Sequence, residues 1–240
     1  MLKNVETLTR RELAVYFYSP IAYVVLTVFL VVSGIFFGTD GFVPGNPASL
    51  RVVLGSIMPL ILVFVLPMLT MRLLSEELSS GTIETLMTAP ITDTEVVMGK
   101  FLGAYLFYMV MLASTLLYVV LIASFGPLDW GQAACTYLGL LLLGALYISV
   151  GLFFSACTRN QIIAVLCSFV VLAIFTFLAN YVAQNLDGWQ RAVIQHLSIV
   201  AHFQDFSRGL LDMNHMIFFV STAALFLFLA VKVLESRRWR

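Results

Sequence analysis

Six stretches of this chain stay apolar for about 20 residues at a time, the length a helix needs to cross the hydrocarbon core of a bilayer. They run over 20–38, 52–74, 99–125, 132–156, 162–181 and 216–234. Each run is continuous rather than alternating, which selects helices over a barrel, and a helix pairs all of its own backbone groups within lipid. The composition agrees. Of the 240 residues, 61% are hydrophobic and only 11% charged, whereas a soluble domain carries about 25% charged residues. Twenty Phe and ten Met add more apolar surface than a soluble fold of this size can hide. The expected fold is an all-α integral membrane protein, a single transmembrane domain over 1–240.

Lysine and arginine set the expected orientation. Six spans place both termini on one side, together with Lys3, Arg10, Arg11, Arg72, Lys100, Arg159, Lys232, Arg237, Arg238 and Arg240; the other side holds Arg51, Arg191 and Arg208. This asymmetry puts both termini in the cytoplasm. The formal net charge of zero gives no electrostatic reason to expect a nucleic-acid partner. The first residues lack the pattern of a secretory signal peptide. Residues 1–19 instead read as an amphipathic interfacial helix, with Val5, Leu8, Leu13 and Phe17 for apolar contact and Lys3, Arg10 and Arg11 for headgroups, so membrane lipid is an expected partner. A plain cytoplasmic extension of the first span is the other reading. On the outer side, 38–51 is rich in Gly, Pro and Asn and reads as irregular chain. The 183–215 loop carries Trp189, Val193, Leu197, Val200 and Phe203 at helical spacings, which predicts a short re-entrant or interfacial helical hairpin before the last span. There Asp205, Arg208 and Asp212 face water or a local partner.

The spans are poor in chemistry. Pro59 and Pro67 in the second span invite bends. Gly99 and Gly103 lie four apart and permit close helix packing, while Gly139 and Gly144 lie five apart. No strongly charged residue sits in mid-span, and Asn180 is the nearest polar candidate. An ion-coupled pump or a selective channel would be expected to place charge or a filter there. The chain has no P-loop, zinc-protease helix or nucleophile elbow. His196, His202 and His215 read as interfacial polar residues, because six residues put the first two on different helical faces. Cys135, Cys157 and Cys167 read as small buried hydrophobes without disulfide or metal spacing. The chain is therefore read as a non-enzyme.

Polarity concentrates in the 75–98 loop, which opens "SEELSSGTIETLMTAP". "GTIETLM" predicts a helix of about two turns over 81–88, with Ser79 or Ser80 available as cap and Glu84 near its start. Pro90 argues against continuation. "TDTE" then forms a capping box, Thr92 to Glu95, for the helix entering the membrane. With Ile83, Leu86 and Met87 as an apolar patch and Glu76, Glu77 and Glu84 as charge, the short helix either docks a partner or packs on its own bundle.

The passage from Arg72 to Lys100 resembles the signature segment of ABC type-2 exporter permeases, in Glu76, Glu77, Gly81, Thr82, Glu84, Leu86, Pro90, Gly99 and Lys100. "GLFFSACTRNQIIAV", 151–165, is similar to that family's junction between the fourth and fifth spans. "FQDFSRGLLD", 203–212, resembles the short permeases of gliding-motility-type and copper-enzyme-maturation-type systems. The resemblance implies a membrane-spanning permease subunit of an ATP-driven exporter in the bacterial inner membrane. Two permeases, copies or paralogues, would enclose the path, and two cytoplasmic ABC ATPase subunits would bind beneath, with room for an accessory outer-side protein. It implies that Glu76, Glu77, Gly81, Thr82, Glu84, Leu86 and Pro90 form the ATPase-coupling element, with a second contact at Arg159 and Asn160. It also implies that ATP and Mg belong to the partner ATPase, with no cofactor bound by this chain. The rival readings are a non-transport scaffold or mechanical signalling subunit driven by a partner ATPase, and a stand-alone carrier or channel.

Overall fold

In the computed structural model, residues 2–40, 50–82, 91–125, 128–179, 181–182, 194 and 198–238 are described. The irregular stretch at 41–49, most of the predicted 81–88 helix, Asn180, and Trp189, Val193 and Leu197 of the hairpin fall outside them. All regular structure among the described residues is helical. Six helices are long and apolar enough to cross a membrane: Pro20–Thr39, Val53–Ser80, Asp93–Ser124, Trp130–Cys157, Gln161–Leu178 and Met213–Arg237.

The spans divide by burial. The apolar windows of the second and fourth are 72% and 67% buried, against 28%, 22% and 28% for the first, fifth and sixth. The second and fourth are thus the core, and the others present apolar faces outward, as a bilayer requires. Between core spans the approach is close: Gly151 of the fourth lies against Thr70 of the second, and Gly144 against the Tyr108 ring of the third. Deeper in the bundle, hydroxyls tie the spans together. Ser33 meets Tyr118 at 3.0 Å, Thr115 meets Tyr137 at 3.0 Å, and Tyr147 meets Thr176 at 3.0 Å.

The second span departs from a plain helix where its prolines act. A π-turn at Val53–Ile57 leads into Met58–Thr70 with Pro59 in its first turn and Pro67 inside. Proline donates no backbone hydrogen bond, so the ladder widens just before Pro59. After Thr70 the helix breaks into a turn over 71–74 and restarts as Ser75–Ser80.

The first helix, Leu2–Tyr18, lies along the start of the third span. The glycines spaced four apart make the groove: a Cβ at Gly99 would fall 2.6 Å from Leu8 Cδ2, and one at Gly103 would fall 2.7 Å from Glu12 Cβ. This contact selects Leu8, Thr9, Glu12 and Tyr16 as the buried face. Phe17, expected on the apolar face, is 41% exposed. The third span starts from the expected capping box: Thr92 accepts from the Glu95 N–H, and the Glu95 side chain accepts from the Thr92 N–H at 2.9 Å.

The end of the bundle that carries both chain termini is called basal here, and the opposite end distal. At the basal end Arg237 donates to the carbonyls of Ala156 and Cys157 at 3.1 and 2.9 Å, capping the fourth span with a cation where its dipole favours one. At the distal end the helix Ile199–Ser207 lies across the bundle. Its Phe206 packs on Gly139, where a Cβ would fall 2.7 Å from the Phe206 Cβ. Cys157 and Cys167, expected to be buried, are exposed, and Cys135 is half-buried. The Cys135 thiol lies 3.6 Å from the Gly209 carbonyl.

Candidate functional site

At the basal end three elements converge on one lysine. Lys100 lies two turns inside the third span and is 1% exposed, too deep to hydrate its ammonium. It donates to Glu12 Oε1 of the first helix at 3.1 Å and to Glu77 Oε1 of the 75–80 helix at 2.8 Å. Arg11 adds contacts to the same two carboxylates, 3.2 Å to Glu12 and 3.4 Å to Glu77. A buried ammonium needs such partners, and two carboxylates this close need the cations in return. The second oxygen of Glu77, Oε2, is buried and has no hydrogen-bond partner among the described residues.

The break in the second span supplies the other half of this joint. Turning at 71–74 frees backbone groups that a continuous helix would pair. Ser155, fully buried on the fourth span, resolves three of them. Its hydroxyl accepts from the Leu74 and Ser75 N–H groups, both at 3.0 Å, and donates to the Met71 carbonyl at 3.0 Å. Tyr16 donates to the Leu69 carbonyl at 3.0 Å; burial first, then the Glu12 carboxylate, pushes its phenol far above the ordinary range, so it stays a donor. Arg72 donates to Ser19 at 2.6 Å. Around these groups opens a cleft of about 630 Å³, lined by Arg11, Arg72, Glu76, Glu77, Ser80 and Lys100 among others. The 75–80 helix is thus fixed to the first helix, the third span and the fourth span together.

The predicted site residues sort around this joint. Glu76 is exposed, whereas Glu77 is half-buried and committed to Lys100. Gly81 and Thr82 are exposed. Gly81 has φ +75° and ends the 75–80 helix, so the expected helix start is a left-handed stop that glycine takes without steric cost. The Ser79 and Ser80 hydroxyls donate back to the Glu76 carbonyl at 2.9 and 2.8 Å, because the helix they end lies behind them. Glu84, Leu86 and Pro90 lie outside the described residues. Arg159 and Asn160 are exposed in the turn between the fourth and fifth spans, and Asn160 caps the fifth by accepting from the Ile162 N–H at 2.9 Å.

Three functional residues were not anticipated: Glu12, Ser155, and Lys100 as an ion-pair centre. For Lys100 the signal was present, a lysine eight residues past the Thr92 cap in an otherwise apolar run, where water cannot reach it. Nothing in the sequence named its partners, since Glu12 and Glu77 are 88 and 23 residues away.

Six apolar helices, the second and fourth of them buried by the others, with charged groups at the ends, define a multi-pass helical membrane protein. Residues 6–236 match the family described as ABC-2 family transporter protein, and the chain belongs to that family. No curated protein matches it. The chain is accordingly a membrane permease subunit of an ABC transporter, a class whose ATP hydrolysis is generally the work of a cytoplasmic ATPase subunit.

Proposed function

We propose that this chain forms the translocation path of an ATP-driven exporter together with a second permease, copy or paralogue, and is driven by separate ABC ATPases at its basal end. The observation that carries the reading is the joint at Lys100. A partner that moves the segment following Gly81 pulls on the 75–80 helix, and Glu77 and Ser155 transmit that pull to the third and fourth spans. Segment 81–88, with Glu84 and Leu86, is the handle, and the turn at Arg159 and Asn160 offers a second contact on the same face. Excess lysine and arginine at the basal end supports a cytoplasmic placement of both termini in a bacterial inner membrane. The stretch at 203–212 supports a place beside the gliding-motility-type and copper-enzyme-maturation-type permeases. A scaffold driven by the same ATPase would share the joint but enclose no path.

Alanine at both Glu84 and Leu86 is expected to abolish transport-linked ATP hydrolysis in the complex purified with its ATPase, while the helical content and thermal midpoint of the chain stay unchanged. Normal ATPase binding and turnover in that double variant would remove 81–88 from the coupling role.

A further inference from the structure

The distal end carries a second cluster that the coupling function does not use. The three histidines read from sequence as separate interfacial residues, but two of them meet across elements 13 residues apart. His202, on the distal helix, and His215, in the first turn of the last span, approach Nδ1 to Nδ1 at 2.6 Å. On its far side His215 Nε2 lies 2.8 Å from Asp205 Oδ2. His202 is 4% exposed and stacks on Phe218 of the last span, with ring centroids 4.1 Å apart. His196 lies outside the described residues.

Two imidazoles facing nitrogen to nitrogen can share one hydrogen but not two. With both rings neutral, a His202 Nδ1–H donates to the bare Nδ1 of His215, whose Nε2–H donates to Asp205. One added proton leaves a single shared hydrogen between the rings and one positive charge beside the Asp205 carboxylate. A second added proton puts an N–H on both facing nitrogens, and the contact becomes a repulsion of like charges. Among the described residues, the other charged groups at this end are engaged or stand on neighbouring elements. Arg208, after the distal helix, pairs with Asp205 Oδ1 at 3.6 Å. Asp212 accepts from the Asn214 N–H at the start of the last span. Asp129 caps the fourth span through the Gly131 and Gln132 N–H groups. Arg51 stands at the distal start of the second span beside Gly55.

From this geometry we infer that His202, His215 and Asp205 form a proton-binding latch that holds the distal helix to the last span and releases it when both rings are charged. The release reaches the core, because the same helix seats Phe206 on Gly139 of the fourth span and Ser207 on the Gly55 π-turn of the second, where a Cβ would fall 2.6 Å from Ser207 Cβ. The sign follows from proton count. The released state takes up two protons and the latched state at most one, so the latch is held at higher pH and weakens as pH falls. One extra proton in the released state shifts the equilibrium by about tenfold per pH unit at most.

Amide hydrogen exchange of the full-length chain in detergent, at pH 7.5 and pH 5.5 and corrected for intrinsic rates, tests this. Protection over 199–207 is expected to fall by about tenfold or more at the lower pH, with the third span unchanged. His215→Gln and His202→Gln, which cannot gain charge, are expected to show no pH dependence whatever their absolute protection. Equal protection of the wild-type chain at both pH values overturns the latch, as does a pH response that survives in both variants. A response that disappears with a chelator overturns it too, since the pair then holds a metal ion rather than a shared proton.

Discussion

Replacing Lys100 with Met is expected to destabilise the protein by about 3–5 kcal/mol, the usual cost of removing one partner from a buried ion pair. The loss exceeds that of a surface pair because Lys100 is 1% exposed and serves two carboxylates at once, Glu12 at 3.1 Å and Glu77 at 2.8 Å. Without the ammonium, Arg11 alone faces them from a side chain that is 55% exposed. Either a carboxylate takes a proton or the first helix and the 75–80 helix move apart. Combining Lys100→Met with Glu12→Gln and Glu77→Gln is expected to recover most of the stability, because no buried charge is then left uncompensated. Thermal midpoints of the purified variants in detergent check both outcomes. A Lys100→Met midpoint equal to that of the wild type would show that the cluster is solvated and contributes little.

Gly144→Ala is also expected to destabilise the protein, although alanine is the better helix former by about 1 kcal/mol. The added methyl would enter the Tyr108 ring. That ring is fully buried and its hydroxyl donates to the Leu140 carbonyl at 2.7 Å, so it cannot swing aside without losing a bond made inside the membrane. Overpacking of this kind costs about 1–3 kcal/mol, enough to outweigh the gain in propensity. Trimming the obstruction supplies the control: Gly144→Ala with Tyr108→Leu is expected to be more stable than Gly144→Ala alone. The reverse order would show that the third and fourth spans separate freely at this point.

The spans were legible because hydropathy over about 20 residues is a local signal that lipid enforces on every helix. Local end signals were legible too, as the Thr92–Glu95 box shows, and so was the close packing at Gly99 and Gly103. What the sequence concealed is pairing across distance. Lys100 looked like a boundary cation, and Glu77 could serve either as a contact to a partner or as a tie to its own bundle; the structure makes each the other's counter-ion. Spacing separates His196 from His202 and leaves His215 aside, but the turn at Gly209, with φ +80°, folds the distal helix back onto the last span and brings the His202 and His215 rings together. The predicted helix start at Gly81 failed for a local reason. A glycine after "SEELSS" serves a helix end as readily as a loop start, and the break at 71–74 that launches the earlier helix rests on Ser155, 80 residues away.

In the proposed exporter, force enters at the basal end through the segment that follows Gly81. Site-directed cross-linking tests it most directly. With Cys135, Cys157 and Cys167 replaced by Ser, a single cysteine at Thr85 is joined by a short bifunctional reagent to the ATPase that co-purifies from native membranes. A cross-linked product is expected from Thr85 and none from a cysteine at Asn214 at the distal end. A product from Asn214, with none from Thr85, would contradict it.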